Sequence, residues 1–501
     1  MKAFGIQINL RSMPFLYLAC IPIAFLILRQ YYPSFWPSIS TRAISVFLEL
    51  GFILLATPYV CTLREWNVSR KYLLIITFWI GLAGLSTLLG DYPWAGSIRW
   101  FELIVNFIFG LFIYLLIQKM PKYKTTIIHS LIISLLFVLV IYLGAWFALD
   151  DPYNYEWVGS APFFNNIRHF GYFIATVLPL GYWLLERKVD NKKTTYISLT
   201  YLSLAWALLF WTGGRGALLG VIFATACYFI ISPKNIKWVI TSIILGGILS
   251  QFFLVKSESL NLFHALSWWS INDKDVDLNN ISANRIKIYI DSLTFWWNNS
   301  PVFGTGADAF RFIKPSINGI SQPHSVLIQL IFSYGIVGLL IPAGLFIALT
   351  LSQIRSQKID NKIIYLCVLS AAVHALTDGV FYHAYSLLTL SIIIAISLPK
   401  TKETSTPCLK SCALLVFISI AIYSIFTAQV INSKDKLKSK SWIELNMKYP
   451  FYFSPENWLD NATPIQKDNL INFSLTHSVN KCYFYSKHSN PNKETLEQYC
   501  Q

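Results

Sequence analysis

Long apolar runs separated by short polar breaks repeat along almost the whole chain. A membrane-crossing helix needs about 20 consecutive, mainly apolar residues. Thirteen segments meet or approach that length: 13–31, 43–62, 71–90, 97–118, 125–148, 167–186, 195–212, 216–232, 236–255, 325–351, 362–380, 384–399 and 410–430. The shortest are 216–232 and 384–399. Two stretches break the pattern. One is a long polar loop, 256–324, between the ninth and tenth segments. The other is the C-terminal part, 431–501, rich in Asn, Lys, Ser and Tyr, with apolar groups at Trp442, Phe451, Phe453 and Trp458. The expected fold is therefore an all-α polytopic membrane protein with about thirteen transmembrane helices. Helices 1–9 lie in 1–255, a loop with an amphipathic helix in 256–324, helices 10–13 in 325–430, and a small, mostly helical appendage in 431–501. The run from Met13 to Leu28 lacks a small-residue cleavage pattern and reads as a first span rather than a removable signal.

Charge gives this pattern a direction. Cytoplasmic loops carry an excess of Lys and Arg. With the N-terminus inside, 20 of the 40 basic residues fall in inner segments, 11 in outer loops and helix ends, and nine in the tail. The alternation holds through all thirteen segments, so the loop 256–324 and the C-terminus are expected outside. The net charge of +15 follows from this bias and does not call for nucleic acid. Only 13% of residues are charged, about half the share in soluble domains. Tyr and Trp gather at outer segment ends (Tyr31, Tyr32, Trp36; Tyr92, Trp94; Tyr153, Tyr155, Trp157; Trp268, Trp269). An interfacial aromatic belt accounts for them, and sugar stacking remains open. The eight cysteines form no C-x-x-C pair. Cys482 and Cys500, both in the tail, could pair in an oxidising compartment.

Charged groups at a membrane edge are functional candidates. Arg215 sits in Trp211-Thr212-Gly213-Gly214-Arg215-Gly216, just before an outward-facing helix start. Arginine, glycine-exposed amides and a helix N-terminus together suit a phosphate; a headgroup anchor is the other reading. Arg285 opens a helix expected over 284–297, with Ile286, Ile290, Leu293 and Trp297 on one face, set against the membrane or the bundle. His324, in Pro323-His324-Ser325, precedes a long apolar run and marks a helix start. An imidazole there suits a general base or serves simply beside a cap. A further outer hairpin carries His374, Thr377-Asp378-Gly379, Tyr382 and His383. Asp378 could orient a histidine or bind an acceptor hydroxyl. The spacing of His374, Asp378 and His383 matches no strong zinc signature, so no metal is expected. Arg99, Arg168 and His169 are further outward basic groups, while Glu49 and Glu102 are expected to pair with polar neighbours inside spans.

Taken together, Gly213-Gly214-Arg215-Gly216, Asn284-Arg285 with Trp296, Pro301 to Gly306, and Pro323-His324-Ser325 through Tyr334-Gly335-Ile336-Val337-Gly338 resemble the O-antigen ligase/polymerase superfamily. Asn165 to Tyr172 and Thr377-Asp378-Gly379 resemble segments common there. The resemblance implies a GT-C-like enzyme of the bacterial inner membrane with its site on the periplasmic side. It would transfer a glycan from undecaprenyl diphosphate, without metal or cofactor and with inversion, to a hydroxyl of lipid A–core or protein. It assigns diphosphate binding to Arg215 and Arg285 and catalysis to His324. Arg99, Arg168, His169, Asp378 and His383 are candidate accessory groups. The chain departs from the family pattern at Gly214, where Ser is frequent, and at Ser325, where Asn is frequent. An O-antigen polymerase, whose acceptor is a second lipid-linked glycan, is the close alternative. A lipid-linked sugar flippase is the alternative from another class. The lack of an evident inverted repeat, and charges gathered at one face rather than the midplane, argue against it.

Overall fold

The structure is a computed structural model that describes residues 12–35, 41–63, 66–90, 93–160, 162–164, 166–187, 192–257, 260–262, 266, 285–310 and 322–399. The segment expected at 410–430, the tail 431–501 and the Cys482–Cys500 pairing lie outside the described residues, as do Asn165, Asn284 and most of the polar loop. The described chain is helical: α1 Met13–Phe35, α2 Thr41–Cys61, α3 Arg70–Leu89, α4 Pro93–Lys119, α5 Tyr123–Ala148, α6 Trp157–Ser160, α7 Ile167–Val177, α8 Leu180–Arg187, α9 Lys192–Trp211, α10 Arg215–Ile231, α11 Ile236–Ser250, α12 Arg285–Asn299, α13 Val326–Arg355, α14 Ile359–Ala375 and α15 Ala384–Ser397. Eight helical segments among the described residues are long and apolar enough to cross a membrane. With α10 and α15 as shorter apolar helices, they make a multi-pass membrane protein.

Two expectations change here. The segment 167–186 is not one continuous helix but two short ones, α7 and α8, interrupted around Leu178-Pro179, where the ring of Pro179 removes an amide donor. Trp157 is no lipid-facing belt residue. It is 1% exposed, donates from Nε1 to the Pro152 carbonyl at 2.8 Å and packs edge-on to Trp211.

Helices associate in lipid through close packing of small residues and through polar bonds between them. The first device sets α10 against α14. A Cβ on Gly220 would fall 2.4 Å from the Ser370 carbonyl oxygen, and one on Gly216 would fall 2.8 Å from Thr377 Oγ1. The second is seen where the hydroxyls of Tyr182 on α8 and Thr225 on α10 share a bond at 2.6 Å, and where Trp79 of α3 donates from Nε1 to the Gly338 carbonyl of α13 at 3.1 Å. Within single helices, Glu49 accepts from Ser45 Oγ at 2.7 Å and Glu102 accepts from Arg99, the polar partners expected of them.

The α13 helix is broken at Gly335 (φ 70°, ψ −170°), a left-handed conformation that a side chain rarely adopts. The break frees the carbonyls of Phe332 and Ser333, which need donors wherever water is excluded. The segment Pro301–Gly306 supplies them. Thr305 N donates to Phe332 O at 2.9 Å, Gly306 N to Ser333 O at 3.0 Å, and in return Ile336 N donates to Pro301 O at 3.1 Å. Ser86 of α3 adds a bond to Ser333 O at 2.8 Å. This stitch ties Pro301–Gly306 to the bundle at the break in α13.

Candidate functional site

Among the described residues, α7, α10, α12, α13 and α15 begin around the turn that carries Asp378, and the first three carry an arginine at their first or second position. Arg215 is the first residue of α10, Arg285 the first of α12 and Arg168 the second of α7. Asn166 caps α7, its side chain accepting from Arg168 N at 2.8 Å. The starts of α13 and α15 follow Ser325 and His383. Helix N-termini carry unpaired amides and a positive dipole end. Arg168 lies within electrostatic reach of Arg215, Arg285 and Asp378. The combination favours an anion.

Asp378, in the turn between α14 and α15, is the hub. His324 Nδ1 lies 3.0 Å from its Oδ1. Tyr172 of α7 donates its hydroxyl to the same oxygen at 2.5 Å, and the Gly379 amide does so at 2.9 Å. Oδ2 faces Arg285 NH2 at 3.3 Å, with His374 Nε2 at 4.0 Å. Arg285 also donates to the Thr377 carbonyl. Burial pushes the Asp378 carboxyl up, but the His324 hydrogen bond and the Arg285 charge outweigh it, and the group is held well below its ordinary range. An ionised Asp378 can only accept, so Nδ1 of His324 carries the proton and Nε2 is left as the basic nitrogen.

His324 is held in an unusual backbone. Its φ is 53°, which few non-glycine residues adopt. Such strain persists where surrounding contacts over-determine it. Here Tyr289 of α12 donates to the His324 carbonyl at 3.0 Å, and Asp378 holds the ring. Arg285 and His324 are therefore fixed to one another through one helix and one carboxylate. Arg215 joins them through the packing of Gly216 on His374 and Thr377.

The remaining candidates sort by position. His169 lies against His383 with ring centroids 3.6 Å apart, and Gln322 Nε2 is 3.3 Å from His383 Nε2. Burial, then the neighbouring His169, hold His383 well below its ordinary range. It is a neutral packing group that accepts from Gln322. Arg99 bonds Glu102 and donates to the Tyr382 carbonyl at 3.2 Å. Tyr382 in turn donates to Asp308 Oδ1 at 2.9 Å, and Arg42 bridges to Asp308 at 3.2 Å. Among the described residues, His374, Asp378 and His383 do not form a metal-ligating set. The apolar face expected on α12 does not rest on the bundle. Ile288, Ser292 and Trp296 are the buried positions, while Ile286, Ile290, Leu293 and Trp297 are exposed. The bundle selects the face that carries Tyr289 towards His324, and the stripe is left facing outward.

Sequence reasoning did not single out Tyr172 for Asp378, nor the pairing of Asp308 with Arg42. Those partners lie 206 and 266 residues apart, and no local pattern joins them. The one local signal was the short-range motif around Tyr172.

Comparison with known families adds one finding. A family model described as O-antigen ligase matches residues 200–343. The match runs from within α9 into α13 and contains Arg215, Arg285 and His324. Asp378, Arg168 and Tyr172 fall outside it. No match was found among curated proteins.

Proposed function

We propose, on the premise that the chain carries an O-antigen ligase domain of the O-antigen ligase/polymerase superfamily across residues 200–343, that it is an inverting glycosyltransferase of the GT-C type. Its donor is a glycan on undecaprenyl diphosphate. Its acceptor is a hydroxyl on lipid A–core or protein, at the periplasmic face of the inner membrane. The single observation that carries this reading is that Asp378 holds His324 and Arg285 at once.

In this reading Arg215 and Arg285, with Arg168 beside them, receive the diphosphate at the starts of α10, α12 and α7. Their charge stabilises the leaving group more as the sugar–oxygen bond breaks, which lowers the barrier rather than merely tightening binding. His324 Nε2 takes the proton from the acceptor hydroxyl while that oxygen bonds the anomeric carbon. The bond to the diphosphate oxygen breaks on the opposite face, undecaprenyl diphosphate leaves, and the configuration inverts. Asp378 stabilises the imidazolium that forms. The arginines supply the positive charge at the leaving group, so the reading needs no metal.

The test is direct. Purified chain, given lipid-linked glycan and an acceptor, should release undecaprenyl diphosphate. His324→Ala should lower turnover by about 10²–10⁴-fold, the typical contribution of a general base. Wild-type-like transfer by that variant would sink the assignment. A polymerase remains the second reading, because the family description covers a ligase domain and the acceptor separates the two. In a deletion strain, unligated lipid-linked glycan indicates a ligase, single-unit surface glycan a polymerase, and a bare glycoprotein an oligosaccharyltransferase.

A further inference from the structure

The helix α12 has three faces rather than two. Ile288, Ser292 and Trp296 are buried, and Ile288 and Trp296 pack with Phe310, Ile331 and Phe332. Lys287, Asp291, Thr294 and Asn298 recur at helical spacing and form a polar face. Ile286, Ile290, Leu293 and Trp297 form the third face; Ile290 is 58% exposed and Trp297 68%. A helix resting on the bundle in water needs only the first two. A contiguous exposed apolar stripe marks an interaction surface.

The depth of α12 says what meets that stripe. Its last turn runs into 300–303, which is bonded to two helices long and apolar enough to cross a membrane, α3 and α13. Pro301 O accepts from Trp296 Nε1 and from Ile336 N of α13, both at 3.1 Å. Ser86 of α3 donates to Phe303 O. Ser86 is three residues short of the Leu89 end of α3, so Phe303 stands roughly 5 Å inside that end at 1.5 Å of rise per residue. The surface around this level is apolar too. Leu85, Leu88 and Leu89 of α3 and Ile336 and Leu340 of α13 are exposed, and Val302 and Phe303 join them to the stripe.

We propose that α12 docks on the bilayer itself. Its stripe, with Val302 and Phe303, sits at the boundary between lipid headgroups and acyl chains, and the face carrying Lys287, Asp291, Thr294 and Asn298 turns to water. Interfacial helices bury an apolar face about 5–10 Å into that boundary, which agrees with the level at which Ser86 holds Phe303. Trp297 is a residue type that favours this zone. The irregular backbone at 301–303 is tolerated there because Pro301 O and Phe303 O take their donors from the protein. A lipid surface is the occupant because the stripe continues onto flanks of α3 and α13 that acyl chains must cover in a spanning bundle. Arg285 and Tyr289 stand on the same helix, so the contact fixes how far Arg285 lies from the membrane surface. That consequence rests on the transferase reading; the lipid contact does not.

The test uses the full chain, its eight cysteines replaced by serine, in nanodiscs of phosphatidylethanolamine and phosphatidylglycerol. Nitroxide labels are placed one at a time through Ile290→Cys, Leu293→Cys, Val302→Cys, Lys287→Cys and Asn298→Cys. Collision with oxygen, which partitions into lipid, is compared with collision with a water-soluble nickel chelate. The logarithm of the oxygen-to-nickel ratio should be positive at the first three sites and negative at Lys287 and Asn298. Ratios that do not differ between the two sets overturn the proposal. Little collision with either reagent at the first three sites also overturns it, because protein then covers the stripe. If the cysteine-free chain does not fold, a benzophenone amino acid at Leu293 or Val302 in the native-cysteine chain gives the second measurement. Irradiation should yield phospholipid adducts; adducts only within the chain or to a second copy, or none, overturn the proposal. Neither readout involves a glycan substrate, so its failure is distinct from failure of the transferase reading.

Discussion

Oδ1 of Asp378 receives Tyr172, the Gly379 amide and His324 at once, so its carboxylate has no room to turn. That constraint fixes which nitrogen of His324 is basic. Asp378→Asn should therefore lower turnover while undecaprenyl diphosphate still binds; an unchanged rate in a stopped transfer assay would dismiss the carboxylate as a positioning group. Acid stability follows from the same neighbourhood. His383 is held below its ordinary range, so as pH falls below about 6.5, its unfolded value, the unfolded chain takes up a proton that the folded chain refuses. Stability is lost from there downward. Asp378 is also held below its ordinary range; its contribution is full above about 3.9, the unfolded value, and is lost as pH falls toward its folded value. The thermal unfolding temperature between pH 7.5 and 5.5 should fall for the wild type and fall less steeply in His383→Gln. The charged and strained residues were the legible ones: Arg215, Arg285 and His324 stand out because charge and helix starts are local features. Asp378 was visible only as a candidate, because its partners come from α7, α12 and the start of α13.

At the level of elements, helix starts were read more reliably than helix integrity. Pro323-His324-Ser325 does open α13, with Ser325 as its cap. Gly335 within the same helix gave no sign that the backbone breaks there, because the donors that make the break tolerable lie about thirty residues upstream, in Pro301–Gly306. The glycines of that motif are spatial requirements. A Cβ on Gly335 would fall 2.0 Å from the Val302 carbonyl oxygen, and one on Gly304 would fall 2.5 Å from the Gly335 amide. Gly335→Ala should therefore lower the unfolding temperature in detergent sharply, since both contacts are backbone and neither can swing aside. Thr305→Val keeps the amide bond and removes only the hydroxyl bond to Phe332 O at 3.0 Å, at a cost of about 1 kcal/mol. Equal damage from the two substitutions, measured by differential scanning fluorimetry, would count against this account of the stitch. Closer to the site, Gly216→Ala pushes on Thr377 and His374 and should reduce transfer more than stability.

For the whole molecule, hydropathy gave the class and most of the helices. It could not give the pairing of α10 with α14 or the splitting of α7 from α8, which depend on small residues and on Pro179 rather than on mean apolarity. Orientation rests on the Lys and Arg pattern, and cysteine labelling in a chain with its eight native cysteines replaced by serine checks it: in intact cells Lys287→Cys should react with a membrane-impermeant maleimide, and Lys234→Cys only after permeabilisation. The stitched break in α13 bears on how such a chain is made. Ser86 and the segment Pro301–Gly306 both precede Phe332 in the sequence, so every donor that the broken stretch needs has been synthesised before that stretch leaves the ribosome. The helix then enters a partly built bundle whose hydrogen-bonding partners are waiting. Direction of synthesis thereby becomes part of what makes a broken membrane helix affordable.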